Sequence, residues 1–266
     1  MLAALPMYDW PQIRAETDRL WSALSAEMRA RGLSAPERLE RARDPGDIWR
    51  DRDLLFAQTC GYPYCMTLRG LVRLVAVPCY EVEGCSGAAY RSAIVVRRDD
   101  PASQPVDLRG RRAAYNAPYS QSGYSALRAA FAPLAREGRV FGETVETGSH
   151  LGSMEAVAAS TADCAAIDAV AWALGRRHRP DIAGRLRVLA WTAPTPGLPY
   201  ITAGRRSDEE VVAMREALRA AIADPSLADT RAALFLAGVE VVGDSAYDTI
   251  VDMERMASEA GYPALV

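Results

Sequence analysis

Histidine is scarce in this chain: His150 and His178 are the only two among 266 residues. The five cysteines (Cys60, Cys65, Cys79, Cys85 and Cys164) fit no standard zinc spacing, since four residues separate Cys60 from Cys65. Together these shortages argue against a zinc centre, and neither a metal nor a cofactor is expected. An excess of basic charge is also lacking. The net charge is −3 and the pI near 5.6, and pairs such as Arg111-Arg112 and Arg176-Arg177 are read as solvated faces. No nucleic-acid partner is therefore expected. No run approaches the ~20 apolar residues that span a bilayer, so no membrane insertion is expected. The opening Met1-Leu2-Ala3-Ala4-Leu5-Pro6-Met7-Tyr8-Asp9 has neither a basic n-region nor a long apolar h-region. As written, the chain is expected to be soluble and cytoplasmic, with no export signal. Internal repeats and low-complexity tracts are absent.

What is present is a 50% apolar composition, enough for one large core or two modest ones. Strand and helix patterns alternate. Leu2 to Met7 is a short apolar run, and Ile13, Leu20, Trp21, Leu24 and Met28 recur at helical spacing behind Pro11. Strands are expected at 53–57, 71–77, 89–98, 112–115, near Val140-Phe141, at 163–167 and at 186–191. Helices are expected within 61–70, after Ser122, after His150 and from Asp168, and everything after Ser207 reads as helical. This pattern predicts an α/β fold with mainly parallel sheets. The block from about 88 to 191 is bracketed by Gly84-Cys85-Ser86-Gly87 and by the proline-rich 192–199. Two lobes are expected, one from 1–87 with 192–266 and one inserted at 88–191, with two crossing segments, a cleft and a hinge. Cys60, Cys79 and Cys85 all follow strand patterns. A Cys60–Cys85 or Cys79–Cys85 disulfide is open to them in an oxidising compartment, and buried free thiols are the alternative.

The stretch Asn116-Ala117-Pro118-Tyr119-Ser120-Gln121-Ser122-Gly123 joins a strand to a helix start. The first N–H groups of a helix lack internal partners and carry the positive end of its dipole, so they attract anions. Ser120 and Ser122 add hydroxyl donors, and Gly123 permits close approach. The structural alternative is an ordinary N-cap serine. In parallel α/β sheets ligands bind beyond the carboxyl ends of strands. The polar residues placed there are Tyr8, Asp9 and Trp10; Gln58, Thr59 and Tyr62; Tyr90; Ser120, Gln121 and Ser122; Thr147 to His150; and Asp168. This set is rich in hydroxyls and contains no evident nucleophile–base pair. Asp168 equally suits an N-cap, Tyr90 a strand aromatic and His150 a helix-start cap. Trp172 and Trp191 are expected in the core.

Tyr90 to Asp99 resembles the crossing strand of the phosphate/phosphonate ABC-transporter substrate-binding proteins. The step Asp107-Leu108-Arg109-Gly110-Arg111-Arg112, the Ser120-Gln121-Ser122-Gly123 turn, Gly148-Ser149-His150 and the strand Ala162 to Asp168 follow in that family's order. The resemblance spans roughly 2–203 and implies a two-lobed type II periplasmic-binding-protein fold that closes on a small ligand. It implies anion contacts from Tyr90, Ser120, Gln121, Ser122 and His150, with Tyr62 or Tyr64 reaching in from the first lobe. A protonated His150 would add charge-assisted bonding near neutral pH. Tyr8 is a candidate first-loop contact, and Asp168 is the nearest acidic group for a ligand amine. Gln121 departs from the family pattern, where a small hydroxyl residue is common. The function implied is a non-catalytic solute-binding protein for a phosphonate, phosphate ester or carboxylate, with an ABC-transporter permease as partner. It would be periplasmic if an export signal has been removed. The alternative is a cytoplasmic enzyme on the same fold, resembling menaquinone-pathway enzymes and acting on a small carboxylate, with His150, Asp9 or Asp168 as acid or base.

Overall fold

A computed structural model describes residues 1–266. The chain divides into two compact units. The first holds residues 1–81, 86–88 and 196–246, and the second holds 82–85, 89–195 and 247–266. No helix is long and apolar enough to cross a membrane.

The first unit is built on a five-stranded sheet in the order Leu2–Ala4, Leu54–Gln58, Tyr200–Ala203, Val72–Tyr80, Leu236–Glu240. Leu54–Gln58 is buried along its whole length, as expected of a strand covered on both faces. Helices Arg14–Ala30 and Asp208–Ala223 pack on the sheet through Trp21, Leu24, Met28, Met214 and Leu218. Trp21 lies near Phe56 at 6.2 Å and Phe56 meets Tyr200 at 4.8 Å between ring centroids, geometries that add to area burial. Asp208–Ala223 begins with a capping box in which Ser207 and Glu210 satisfy each other's backbone N–H groups.

The second unit carries a five-stranded sheet in the order Leu186–Trp191, Ser92–Arg97, Cys164–Asp168, Arg112–Tyr115, Glu143–Glu146. One face, with Ile94, Val96, Cys164 and Ala166, packs on Leu127 and Phe131 of the helical run 121–134. The opposite face, with Ala93, Val95, Ala165 and Ile167, packs on Met154, Val157 and Trp172 of helices His150–Ala158 and Ala169–His178. Strict alternation of side chains along each strand produces this division.

The structure differs from the sequence expectation in five respects. Both sheets are mixed: 112–115 runs parallel to its two neighbours, whereas 92–97 is antiparallel to both of its own. The last twenty residues, expected with the first unit, belong to the second. Ala257, Tyr262 and Leu265 are buried in the same apolar cluster as Leu127 and Phe131. The Val266 oxygen accepts from the N–H groups of Val140 and Phe141, at 2.9 and 3.1 Å, so these two residues form no strand and the strand falls at Glu143–Glu146. The region after Ser207 is not wholly helical, because Phe235 adopts φ 55° and the chain leaves the helix for the edge strand Leu236–Glu240. Finally, Arg111 is not a solvated charge: its guanidinium contacts both oxygens of the buried Asp100 at 2.8 Å.

All five cysteines are free thiols. Cys79 donates to Glu240 Oε1, and burial beside that carboxylate pushes its thiol up to about 11. Trp172 is buried as expected, and Trp191 packs partly buried against the same cluster.

Candidate functional site: a serine-rich turn on the second unit

The strand Arg112–Tyr115 ends at the carboxyl edge of the second sheet, and the helical run 121–134 begins there. Ser120 is its N-cap, and its hydroxyl accepts from the Gly123 N–H at 3.1 Å. The first turn is wide: the Ser125 N–H bonds the Ser120 carbonyl, an i to i+5 link, at 3.0 Å. Single wide turns of this type occur frequently at functional sites. Ser120, Gln121 and Ser122 are all buried.

The second element is helix His150–Ala158, capped by Ser149, whose hydroxyl accepts from the Gly152 N–H at 2.9 Å. His150 Nε2 lies 2.8 Å from Ser122 Oγ, and Ser122 Oγ lies 3.5 Å from Ser120 Oγ. This hydroxyl–imidazole bond ties together the starts of two helices. The first turns of both helices, with the positive ends of their dipoles, therefore lie at the same edge of one sheet.

His150 differs from the expectation in one respect. Enclosure of its ring pushes the imidazole down to about 4, only partly opposed by the nearby Ala166 carbonyl, with which Nδ1 makes no well-formed hydrogen bond. The ring is neutral at neutral pH in the ligand-free protein, so it supplies a polar N–H or lone pair rather than a cation.

Asp168 is buried at the end of strand Cys164–Asp168, where its Oδ1 accepts from the Val170 and Ala171 N–H groups at 2.8 and 3.2 Å. Its cap role is thus plain. Tyr90 is buried in the short strand Ala89–Tyr90. Ser120, Gln121, Ser122, His150, Asp168 and Tyr90 all belong to the second unit, and Tyr8 and Tyr62 to the first. Tyr8 is half-buried and meets Tyr80 edge to face at 5.4 Å. Tyr62 is half-buried in the turn Gly61–Pro63. Its neighbour Tyr64 donates its hydroxyl to Asp244, whose carboxylate also pairs with Arg69 at 3.1 Å, which separates the roles of the two tyrosines. Asp9 is held in ion pairs with Arg14 at 3.3 Å and Arg41 at 2.6 Å, an arrangement suited to anchoring a loop rather than moving a proton.

Three further residues shape the turn, and of these only Met253 escaped sequence reasoning. Gly123 is required by contact: a Cβ there would overlap Asn116 Oδ1 and lie 3.3 Å from His150 Cε1. Asn116 closes the turn from the strand side. Met253, on helix Asp248–Glu259, places its sulfur 3.7 Å from Gln121 Nε2. The glycine was visible as a motif letter. Met253 had no signal, because its approach depends on where the C-terminal helix docks.

Residues 51–247 match the family of periplasmic substrate-binding proteins of phosphonate ABC transporters. The chain belongs to that family. Its fold is that of periplasmic binding proteins. A binding-protein component of an ABC phosphonate transporter from Pseudomonas aeruginosa, PA3383, superposes with a TM-score of 0.76 at 17% identity, over 97% of this chain and 87% of that one. PhnD1 from Prochlorococcus marinus in complex with methylphosphonate gives 0.75 at 14% identity, over 97% and 98%. XAC2383 from Xanthomonas citri, bound to ATP, gives 0.70 at 18% identity, over 97% of each chain. Among curated proteins none matches this sequence. The family and these neighbours are transporter substrate-binding proteins, not enzymes.

Proposed function

We propose that this chain binds a small organophosphonate or related oxyanion at the Ser120-Gln121-Ser122-Gly123 turn and presents it to a transporter permease. The observation that carries the reading is the 2.8 Å bond between Ser122 and His150, which fixes two helix N-termini at one place. Three ligand oxygens find backbone N–H groups and serine hydroxyls there, the donors that charge-assisted anion binding requires. Gln121 adds an amide where a hydroxyl is common in the family, and it tunes the set toward a ligand that differs from a plain phosphonate. Tyr90 and His150 border the oxyanion in this reading. In this reading Asp168, already an N-cap, meets a cationic group on the ligand, and Tyr8 and Tyr62 are further ligand contacts. The family's description supports a permease partner and a periplasmic setting in this reading.

Isothermal titration with methylphosphonate, inorganic phosphate and acetate tests this reading. Binding of at least one phosphorus oxyanion, with acetate weaker, is expected. Heats absent for all three anions would contradict it.

A further inference from the structure

Ser92 opens the strand Ser92–Arg97 and is only 1% exposed, yet its hydroxyl has no hydrogen-bond partner. A buried hydroxyl left unsatisfied costs free energy, so its survival in a core strand calls for an explanation. Its nearest backbone neighbours are already committed. The Ser92 N–H bonds Thr192 Oγ1 at 2.9 Å, the Ser92 carbonyl accepts from the Thr192 N–H, and the Thr192 hydroxyl donates to the Ala193 carbonyl.

The direction of the Ser92 side chain follows from strand alternation. Ser92, Ile94 and Val96 share one face of the sheet, and Ile94 and Val96 pack in the cluster formed with Leu127 and Phe131. Ser92 therefore lies on the face that carries the helical run 121–134. Its cross-strand partner is Asp168, in regular register from Ser92↔Asp168 to Val96↔Cys164. Directly opposed residues have Cβ atoms roughly 5 Å apart on a shared face. The pair occupies the sheet edge at which the 121–134 helix starts, because Asp168 ends a strand parallel to Arg112–Tyr115.

We propose that Ser92 is a ligand-contact residue of the anion site, its hydroxyl donating to an oxygen of the bound phosphorus oxyanion. The proposal rests on the function stated above and deepens it. It supplies one hydroxyl from the sheet floor beside those of Ser120 and Ser122 on the helix.

The test compares wild type with Ser92→Ala by two measurements, melting temperature without ligand and affinity for methylphosphonate and inorganic phosphate by titration. Removal of an unsatisfied buried hydroxyl leaves the free protein as stable as wild type or more so. Affinity falls by about 10- to 150-fold, the range for one hydrogen bond to a charged group. That split, with stability kept and affinity lost, is not produced by a merely structural serine. Wild-type affinity in Ser92→Ala would overturn the proposal, as would a lowered melting temperature with affinity retained. If wild type itself binds neither anion, the functional reading falls and this inference with it. If wild type binds and Ser92→Ala binds equally, only the assignment of Ser92 falls.

Discussion

At the scale of single residues, the Ser120–Gly123 turn depends on close contacts that small substitutions disturb. An alanine at Gly123 overlaps Asn116 Oδ1, the movable end of a side chain, so the amide is displaced before the backbone. Gly123→Ala is expected to lose about 1–2 kcal/mol of stability, as overpacking does, and to weaken anion binding. Adding Asn116→Ala should recover most of the stability, and thermal denaturation of the single and double variants checks this. His150 sets a pH dependence. Its folded value is pushed from 6.5 down to about 4, so between those values the unfolded chain binds more protons than the folded one. Stability is then fully present above 6.5 and declines as pH falls toward 4, and His150→Gln should flatten part of that decline in a pH series of melting temperatures. An anion seated beside the ring favours its charged form. Binding at about pH 5.5 should therefore take up protons, read from binding enthalpies in two buffers of different ionisation heat. The serines of the turn were legible because a cap is a local event of four residues. The neutrality of His150 was not, because ring enclosure is created by tertiary packing.

At the scale of elements, helix Asp248–Glu259 and the tail after it matter beyond their length. Arg128, on the helical run 121–134, has a buried guanidinium that meets the Glu254 carboxylate and the Pro263 carbonyl. Such a group is strongly destabilising once its partner is lost, although the Glu254 side chain is 25% exposed and water offsets part of the loss. Glu254→Gln is expected to lower stability by about 1–3 kcal/mol. It should also make 247–266 the first segment cut in limited proteolysis. Cleavage elsewhere first, with stability unchanged, would show that this ion pair does not hold the tail. From sequence, an amphipathic C-terminal helix declares which face it buries but not against what, so it was placed with the wrong unit. Leu236–Glu240 was missed for a related reason. Its five residues, Leu-Ala-Gly-Val-Glu, follow a helix, and only the left-handed backbone at Phe235 redirects the chain.

At the scale of the whole molecule, solved relatives at 14–18% identity superpose along 97% of the chain. The alternating strand and helix pattern made the α/β class and the two-unit organisation readable. Strand direction was less readable, since hydrophobic runs look alike in parallel and antiparallel pairs. A ligand that binds only the folded protein stabilises it by about 2.7 kcal/mol at 100 times its Kd, a rise of several degrees in melting temperature for a chain of this size. Central to the proposed function is a phosphorus oxyanion held at the Ser122–His150 turn. Its most direct test is titration of wild type and Ser122→Ala with methylphosphonate, with melting temperatures recorded alongside. The expected result is one-to-one binding by wild type, weakened about tenfold or more in Ser122→Ala while the ligand-free fold is kept. Equal affinity in both proteins, or no binding of methylphosphonate or phosphate by wild type, would contradict it.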